Sequence, residues 1–172
     1  MKRFVIGLVI GIILLPVLAF TVILLGDAPV ATAAPPLPLE RTLAALALHM
    51  RIQKEAPKTS PVPPTEANLL AGARTYHDYC AVCHGTAGEP KTATANGMFP
   101  PPPQLFQGKG VTDDPAGETF WKASNGIRLT GMPAYHGSLS DEQLWQVSQL
   151  LANANKLPAS VQQFLAQPAP AH

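Results

Sequence analysis

Hydrophobic positions along the chain begin with one long apolar run. Residues 4–25 contain no charged side chain, and about 20 apolar residues suffice to span a bilayer as a helix. Lys2 and Arg3 precede the run and no basic cluster follows it directly, so the positive-inside tendency places the N-terminus in the cytoplasm. We therefore predict a transmembrane anchor over residues 1–26. It would cross the bacterial inner membrane once and leave the rest of the chain in the periplasm or exterior.

A cleaved signal peptide is the alternative for this segment. The "ATA" at residues 31–33 has the small-x-small form of a cleavage site. The apolar run is longer than the about 7–15 residues usual for a signal peptide, which favours the uncleaved anchor. Both alternatives export the remainder of the chain.

The second pattern is a Pro- and Ala-rich stretch over residues 27–65. Its composition predicts an extended, semi-rigid tether. Within it, apolar residues recur at helical spacing and predict a short amphipathic helix over residues 39–50, lying on the domain or on a partner. These apolar residues are Leu39, Leu43, Leu46 and Met50.

The third pattern, after the tether, consists of helical segments with recognisable ends. Thr65 can cap a helix over residues 66–79. Asp114 can cap a second helix over residues 114–125, which Gly126 would end.

The last helical segment has the clearest start signal. Ser140 followed by Gln143 predicts a capping box, and the helix is expected to continue to about Asn155. No period-two alternation occurs, so we predict an all-α domain over residues 66–156. A C-terminal tail over residues 157–172 follows it.

Charge and aromatic content narrow the function classes. The formal net charge is +1, which gives no strong attraction to nucleic acid. Residues 66–172 hold six Lys and Arg against eight Asp and Glu, a net charge of −2, so no lysine-rich docking ring is expected. With 6% aromatic residues, a small core needs another apolar body to pack around.

The two cysteines of the chain occur in "CAVCH", as Cys80 and Cys83 followed by His84. A structural zinc site needs four ligands, and no second pair with metal spacing is present. A thioredoxin-type pair would accompany a βαβ pattern, and a disulfide between these cysteines would close a very small loop. The remaining interpretation is covalent haem attachment, for which C-x-x-C-H is the signature.

Four features between residues 66 and 155 point the same way. They are Gly72 with Tyr76, the motif at residues 80–84, Pro103 with Leu105, and "NGIRLTGMPAY" at residues 125–135. Together they resemble a class I cytochrome c. The resemblance implies the cytochrome c fold, three to four helices around one covalent haem c, here with an N-terminal transmembrane helix. Gly72 and Tyr76 would cross the last helix closely.

The resemblance also implies the roles of the proximal residues. Haem would be attached through Cys80 and Cys83, with His84 as the proximal iron ligand. The carbonyl of Pro103 would accept a hydrogen bond from the His84 ring, and Leu105 would follow at the haem edge.

On the distal side the resemblance implies that Met132 is the second iron ligand. Gly131 would permit close approach and Pro133 would stiffen the loop. His136 is the only serious rival, and Met98 lies where the chain still rounds the haem edge, with apolar packing as its ordinary role. His77 is expected to be exposed, and Arg128 either meets a haem propionate or is a solvated surface residue.

Two departures from the family pattern stand out. Leu150 occupies a place where many relatives carry tyrosine, so the helix crossing would rely on Trp145 and leucines. The "GVTDDPAGE" insertion, residues 110–118, has no counterpart whose path can be derived.

A haem with both axial positions filled favours electron transfer over catalysis. We therefore expect a membrane-tethered c-type cytochrome, not an enzyme, that passes single electrons between membrane-bound donor and acceptor complexes. The alternatives are a permanent haem subunit of a respiratory or dehydrogenase complex, and a gas or redox sensor in which Met132 yields to a small ligand.

Overall fold

The computed structural model describes residues 1–88, 92–106 and 114–168. These residues form α-helices and one 3-10 turn, and no strand is found among them. This confirms the predicted all-helical class. The helices are α1 (Lys2–Leu24), α2 (Glu40–Glu55), α3 (Glu66–Tyr79), α4 (Ala81–His84), α5 (Ala93–Asn96), α6 (Ala116–Asn125), α7 (Asp141–Ala152) and α8 (Ala159–Leu165).

The chain divides into two units, residues 1–38 and residues 39–172. In the first unit, α1 is apolar after Lys2 and Arg3 except for Thr21, whose hydroxyl donates to the carbonyl of Val17 within the same helix. Internal bonding of this kind lets a hydroxyl lie in an apolar environment. Among the described residues, α1 is the one helix long and apolar enough to cross a membrane.

The second unit is built on a close crossing of α3 and α7. A Cβ added at Gly72 would collide with the backbone carbonyl of Gln146, so glycine is required where these helices touch. Tyr76 and Leu150 are fully buried at this contact. Trp145 stacks on Phe120 of α6, with ring centroids 4.2 Å apart.

Helix starts follow the predicted capping residues with one exception. Thr65 accepts from the backbone N–H of Asn68, and Ser140 forms the reciprocal capping box with Gln143. Asp114 does not cap α6. Its carboxylate accepts a 2.7 Å hydrogen bond from Lys122 Nζ instead, and α6 begins two residues later.

The C-terminal segment is part of the core. Val161 and Leu165 of α8 are buried against the α3–α7 pair. The ring of Phe164 lies 4.9 Å from that of His77, which is only 4% exposed. The expectation that His77 is exposed is therefore wrong, because it overlooked the cover that α8 provides. The end of the tail (residues 169–172) and the first part of the insertion (residues 110–113) lie outside the described residues.

Helix α2 is longer than the predicted 39–50 segment and packs against α6. Ile52 is buried in this contact, and Trp121 Nε1 donates to Glu55 Oε2 over 3.2 Å. Pro57 lies so close to Gly117 that a Cβ there would collide with the Pro57 carbonyl. The part of the predicted tether that forms α2 is thus attached to the helical domain and is not extended chain.

Candidate haem site

Helices α3, α4, α6 and α7 and two loops surround a cavity of about 220 Å³. Its wall is mainly apolar and includes a run of prolines, Pro100–Pro103. The cavity is also lined by all but one of the residues predicted at the haem: Cys80, Cys83, His84, Pro103, Leu105 and Met132. The exception is Arg128, which is exposed on the turn before Met132 and does not line the cavity.

The two cysteines and the histidine lie on one helical turn. The backbone N–H groups of Cys83 and His84 both donate to the Cys80 carbonyl, over 3.1 and 2.9 Å. Gly85 ends the turn with a φ of 71°, and its carbonyl accepts a 2.7 Å bond from the buried Tyr76 hydroxyl. The turn is therefore attached to α3 at both ends, and the three side chains share one cavity wall.

The His84 imidazole is held by a backbone carbonyl. Its Nδ1 lies 2.8 Å from the Pro103 carbonyl oxygen, which is the contact that the resemblance implies. Because a carbonyl only accepts, Nδ1 must carry the proton, and Nε2 keeps its lone pair. Burial lowers the pKa of His84, although the bond to Pro103 acts in the opposite direction. A neutral ring with a fixed tautomer is the form that binds a metal.

The cysteines do not behave as a redox pair. Both are free thiols, and burial, reinforced by Cys83, raises the pKa of Cys80 to about 12. Reactive dithiol motifs instead depress the pKa of their nucleophile. Among residues 1–88, 92–106 and 114–168, no group of three or more His, Cys, Asp or Glu side chains is arranged to hold a metal ion. The zinc and thioredoxin interpretations thus gain no support.

Met132 also lines the cavity and lies on a tightly held loop. Its backbone N–H donates to Thr130 Oγ1 over 3.1 Å, and its carbonyl accepts from the Ile127 N–H over 3.2 Å. Gly126 ends α6 with a φ of 66°, and a Cβ there would lie 2.7 Å from the backbone nitrogen of Ala134. The end of α6 and the Met132 loop therefore touch through a glycine.

Met98 lines the same cavity. Its terminal methyl group lies where a side chain at Gly131 would begin, so this glycine makes room for Met98. Met98 thus comes from a different segment and packs against the loop that carries Met132, in agreement with the packing role expected for it.

The sequence analysis missed an ion pair and a tyrosine at the cavity. Lys122 and Asp114 form an ion pair and both line the cavity. The spacing of Thr119, Lys122 and Ala123 on one face of α6 was a signal that could have indicated this. Tyr135 also lines the cavity and donates a 2.8 Å bond to the Tyr79 carbonyl. Burial raises the pKa of Tyr135 to about 12, so it remains a neutral donor.

Comparisons with known proteins agree with this geometry. Residues 67–151, just under half of the chain, match the family model described as cytochrome c oxidase, cbb3-type, subunit III. A comparison with curated proteins found no match. Among solved structures, a chain of the Kuenenia stuttgartiensis reducing HAO-like protein complex is similar, with a TM-score of 0.50 and 24% identity.

The structural match covers 58% of this chain and 49% of that chain. This chain therefore spans about half the length of the solved chain it matches, and at this identity the likeness shows the fold alone. The fold and the family match support a c-type cytochrome domain, which an apolar N-terminal helix precedes.

The residues present fit a haem c. The cavity is mainly apolar, and both the C-x-x-C-H turn and a thioether line it. Cys80 and Cys83 could attach the group, and the unprotonated Nε2 of His84 and the sulfur of Met132 could bind its iron. An imidazole and a thioether are the ligand pair typical of cytochromes c.

Proposed function

We propose that this protein is a membrane-tethered monohaem cytochrome c that carries single electrons between membrane redox complexes. Cys80 and Cys83 would hold one haem covalently, with His84 and Met132 as the axial ligands. The observation that carries the proposal is the His84–Pro103 contact of 2.8 Å beside two thiols on one helical turn. This contact orients a neutral imidazole into an apolar cavity.

The protein's own groups explain why electron transfer is favoured over catalysis. When bound, haem c supplies a one-electron iron couple, and Met/His ligation raises its potential. Filling both axial positions from His84 and Met132 leaves none for a substrate. The cavity wall includes the prolines at residues 100–103 and the neutral Tyr135 hydroxyl, which carry no charge. The Asp114–Lys122 ion pair on the same wall has no net charge.

The proposed location follows from α1 and the tether. An uncleaved α1 would keep the cytochrome domain at the periplasmic face of the inner membrane. The net charge of −2 over residues 66–172 does not favour electrostatic steering to an acidic partner. A tether can replace steering by raising the effective concentration near membrane partners.

A second candidate is a permanent haem subunit of a larger membrane complex. The specific observation in its favour is the family description, which names a subunit of a terminal oxidase. In this case donor and acceptor would be fixed neighbours rather than transient partners.

The test is purification of the full-length chain from detergent-solubilised membranes. We expect a band that retains haem through denaturing electrophoresis, and membrane association that survives a high-salt wash. A chain that carries no haem when wild type would overturn the proposal. Recovery of the cytochrome free of other proteins supports the tethered carrier, whereas stoichiometric co-purification of other redox subunits replaces it with the second candidate.

A further inference from the structure

Helix α2 has two opposite faces with different environments. On the inner face Ile52 is buried, Leu48 is half-buried, and the Arg41 guanidinium lies 5.3 Å from the centre of the Phe99 ring. At 3.6 residues per turn, a second apolar set falls on the opposite side. This outer stripe is 55–68% exposed and consists of Leu39, Leu43, Leu46 and Met50.

The outer stripe cannot turn inward without loss of contacts. The bond from Trp121 to Glu55 and the close contact of Pro57 with Gly117 hold the C-terminal end of α2 on α6. The Arg41 contact holds its first turn. The helix is thus fixed with four large apolar side chains directed away from the domain, and an apolar patch of this kind marks an interaction surface.

We propose that the outer stripe of α2 binds the surface of the phospholipid bilayer, with the helix lying in the membrane plane. The inference rests on the proposed membrane anchoring by α1. Fourteen residues, 25–38, separate the end of α1 from Leu39, and fully extended they reach at most roughly 50 Å. The start of α2 therefore stays within roughly 50 Å of the end of α1, and so of the bilayer that α1 would cross.

Charge and area also favour lipid over a protein partner. Residues 39–58 hold four basic side chains against two acidic ones, which suits the anionic headgroups of a bacterial membrane. Of the basic residues, Arg41 lies on the inner face and Arg51 pairs with Glu55 over 2.8 Å. Lys54 and Lys58 are therefore the two that remain for the headgroups. A stable protein interface buries about 800 Å² on each partner, and four side chains on one helix offer a smaller surface than this. An interfacial helix needs only its apolar face.

Membrane binding by α2 has a consequence for the haem cavity. Helix α6, on which α2 rests, contributes Thr119, Lys122 and Ala123 to the cavity wall. Seating α2 on the bilayer therefore fixes the direction in which the cavity faces relative to the membrane plane. The tethered domain then meets membrane partners in a restricted set of orientations.

The test uses the full-length chain in vesicles of phosphatidylcholine and phosphatidylglycerol, with the photoreactive residue benzoylphenylalanine in place of Leu46. The matched control carries it in place of Leu129, which is 92% exposed on the turn before Met132. Illumination followed by mass spectrometry identifies what each position touches. We expect lipid adducts several-fold more abundant at position 46 than at position 129.

Each other result overturns the inference. Equal lipid adducts at both positions show that the stripe does not lie on the membrane. Adducts to another copy of the chain assign the stripe to self-association, and adducts to a different protein in native membranes assign it to a partner. If a high-salt wash removes the chain from the vesicles, α1 does not anchor the protein, and the proposed function itself is contradicted. A retained chain without lipid adducts is the failure of this inference alone.

Discussion

The two walls of the cavity are built in different ways. The wall with the C-x-x-C-H motif is one helical turn, in which Cys80, Cys83 and His84 are placed by two hydrogen bonds to a single carbonyl. The methionine-bearing wall combines a loop around Met132 with a methionine, Met98, from a distant segment. A local motif is decided by helix geometry, whereas the methionine-bearing wall depends on tertiary contacts between segments. Changes to the two walls should therefore have different consequences.

The largest effect is expected from removing both cysteines. Cys80→Ser with Cys83→Ser should abolish covalent haem, because the attachment needs thiols on one turn. Haem staining after denaturing electrophoresis measures this, with Met98→Ala as a control that should keep the stained band. Haem retained by the double variant would show that the motif is not the attachment site.

The next effect should separate the two methionines. Met132→Ala should open an axial position, so that carbon monoxide binds the reduced protein and the absorption band of sulfur-ligated ferric haem disappears. Met98→Ala should keep that band and cost about 1–2 kcal/mol of stability, since Met98 is only half-buried. Optical spectra and titrations with carbon monoxide measure both variants. Loss of the band in Met98→Ala alone would exchange the roles of the two methionines.

A smaller effect is expected at the loop glycines. Gly126→Ala should cost about 2–4 kcal/mol, since it adds a clash with the 133–134 backbone to the about 1–2 kcal/mol of a left-handed conformation. Gly137 also has a positive φ, but a Cβ at this position would have no neighbouring atom within 4 Å, so Gly137→Ala isolates the conformational cost. Denaturant unfolding of the holoprotein measures the difference. Equal losses would mean that the contact between α6 and the Met132 loop contributes nothing.

The smallest effect concerns His77, which lies on α3 under the cover of α8. Burial lowers the pKa of His77, and its Nε2 is buried without a hydrogen-bond partner among the described residues. In the unfolded chain His77 binds a proton below about pH 6.5, whereas the folded chain resists protonation. The contribution of neutral His77 to the free energy of unfolding is therefore complete above about pH 6.5. It is lost as the pH falls from there toward the pKa of His77 in the folded chain, by up to about 1.4 kcal/mol per pH unit.

The variant that checks this is His77→Phe, which keeps an aromatic ring against Phe164 and removes the titration. Its unfolding free energy should vary less between pH 7 and pH 5 than that of the wild type. The His136→Phe variant serves as control, because His136 is exposed. An unchanged pH dependence in His77→Phe would show that other groups cause the acid sensitivity.

Local chemistry was sufficient for much of the molecule. The bounds of α3, the capping box of α7, the apolar N-terminal helix and the motif turn all follow from short-range signals, since caps and helical spacing act within a few residues. Pro103, the partner of the His84 ring, was indicated by the resemblance to class I cytochromes c and not by a short-range signal. For these features the sequence alone predicts where the side chains lie.

Other features required the tertiary structure. His77 becomes buried because α8 folds back over α3. Asp114 does not cap α6 because its carboxylate pairs with Lys122, farther along the same helix. Met98 reaches the cavity because Gly131 leaves space for it, and the outer stripe of α2 is exposed because the opposite face docks on α6. These outcomes depend on contacts between residues far apart in the chain, which helical spacing and capping signals do not contain.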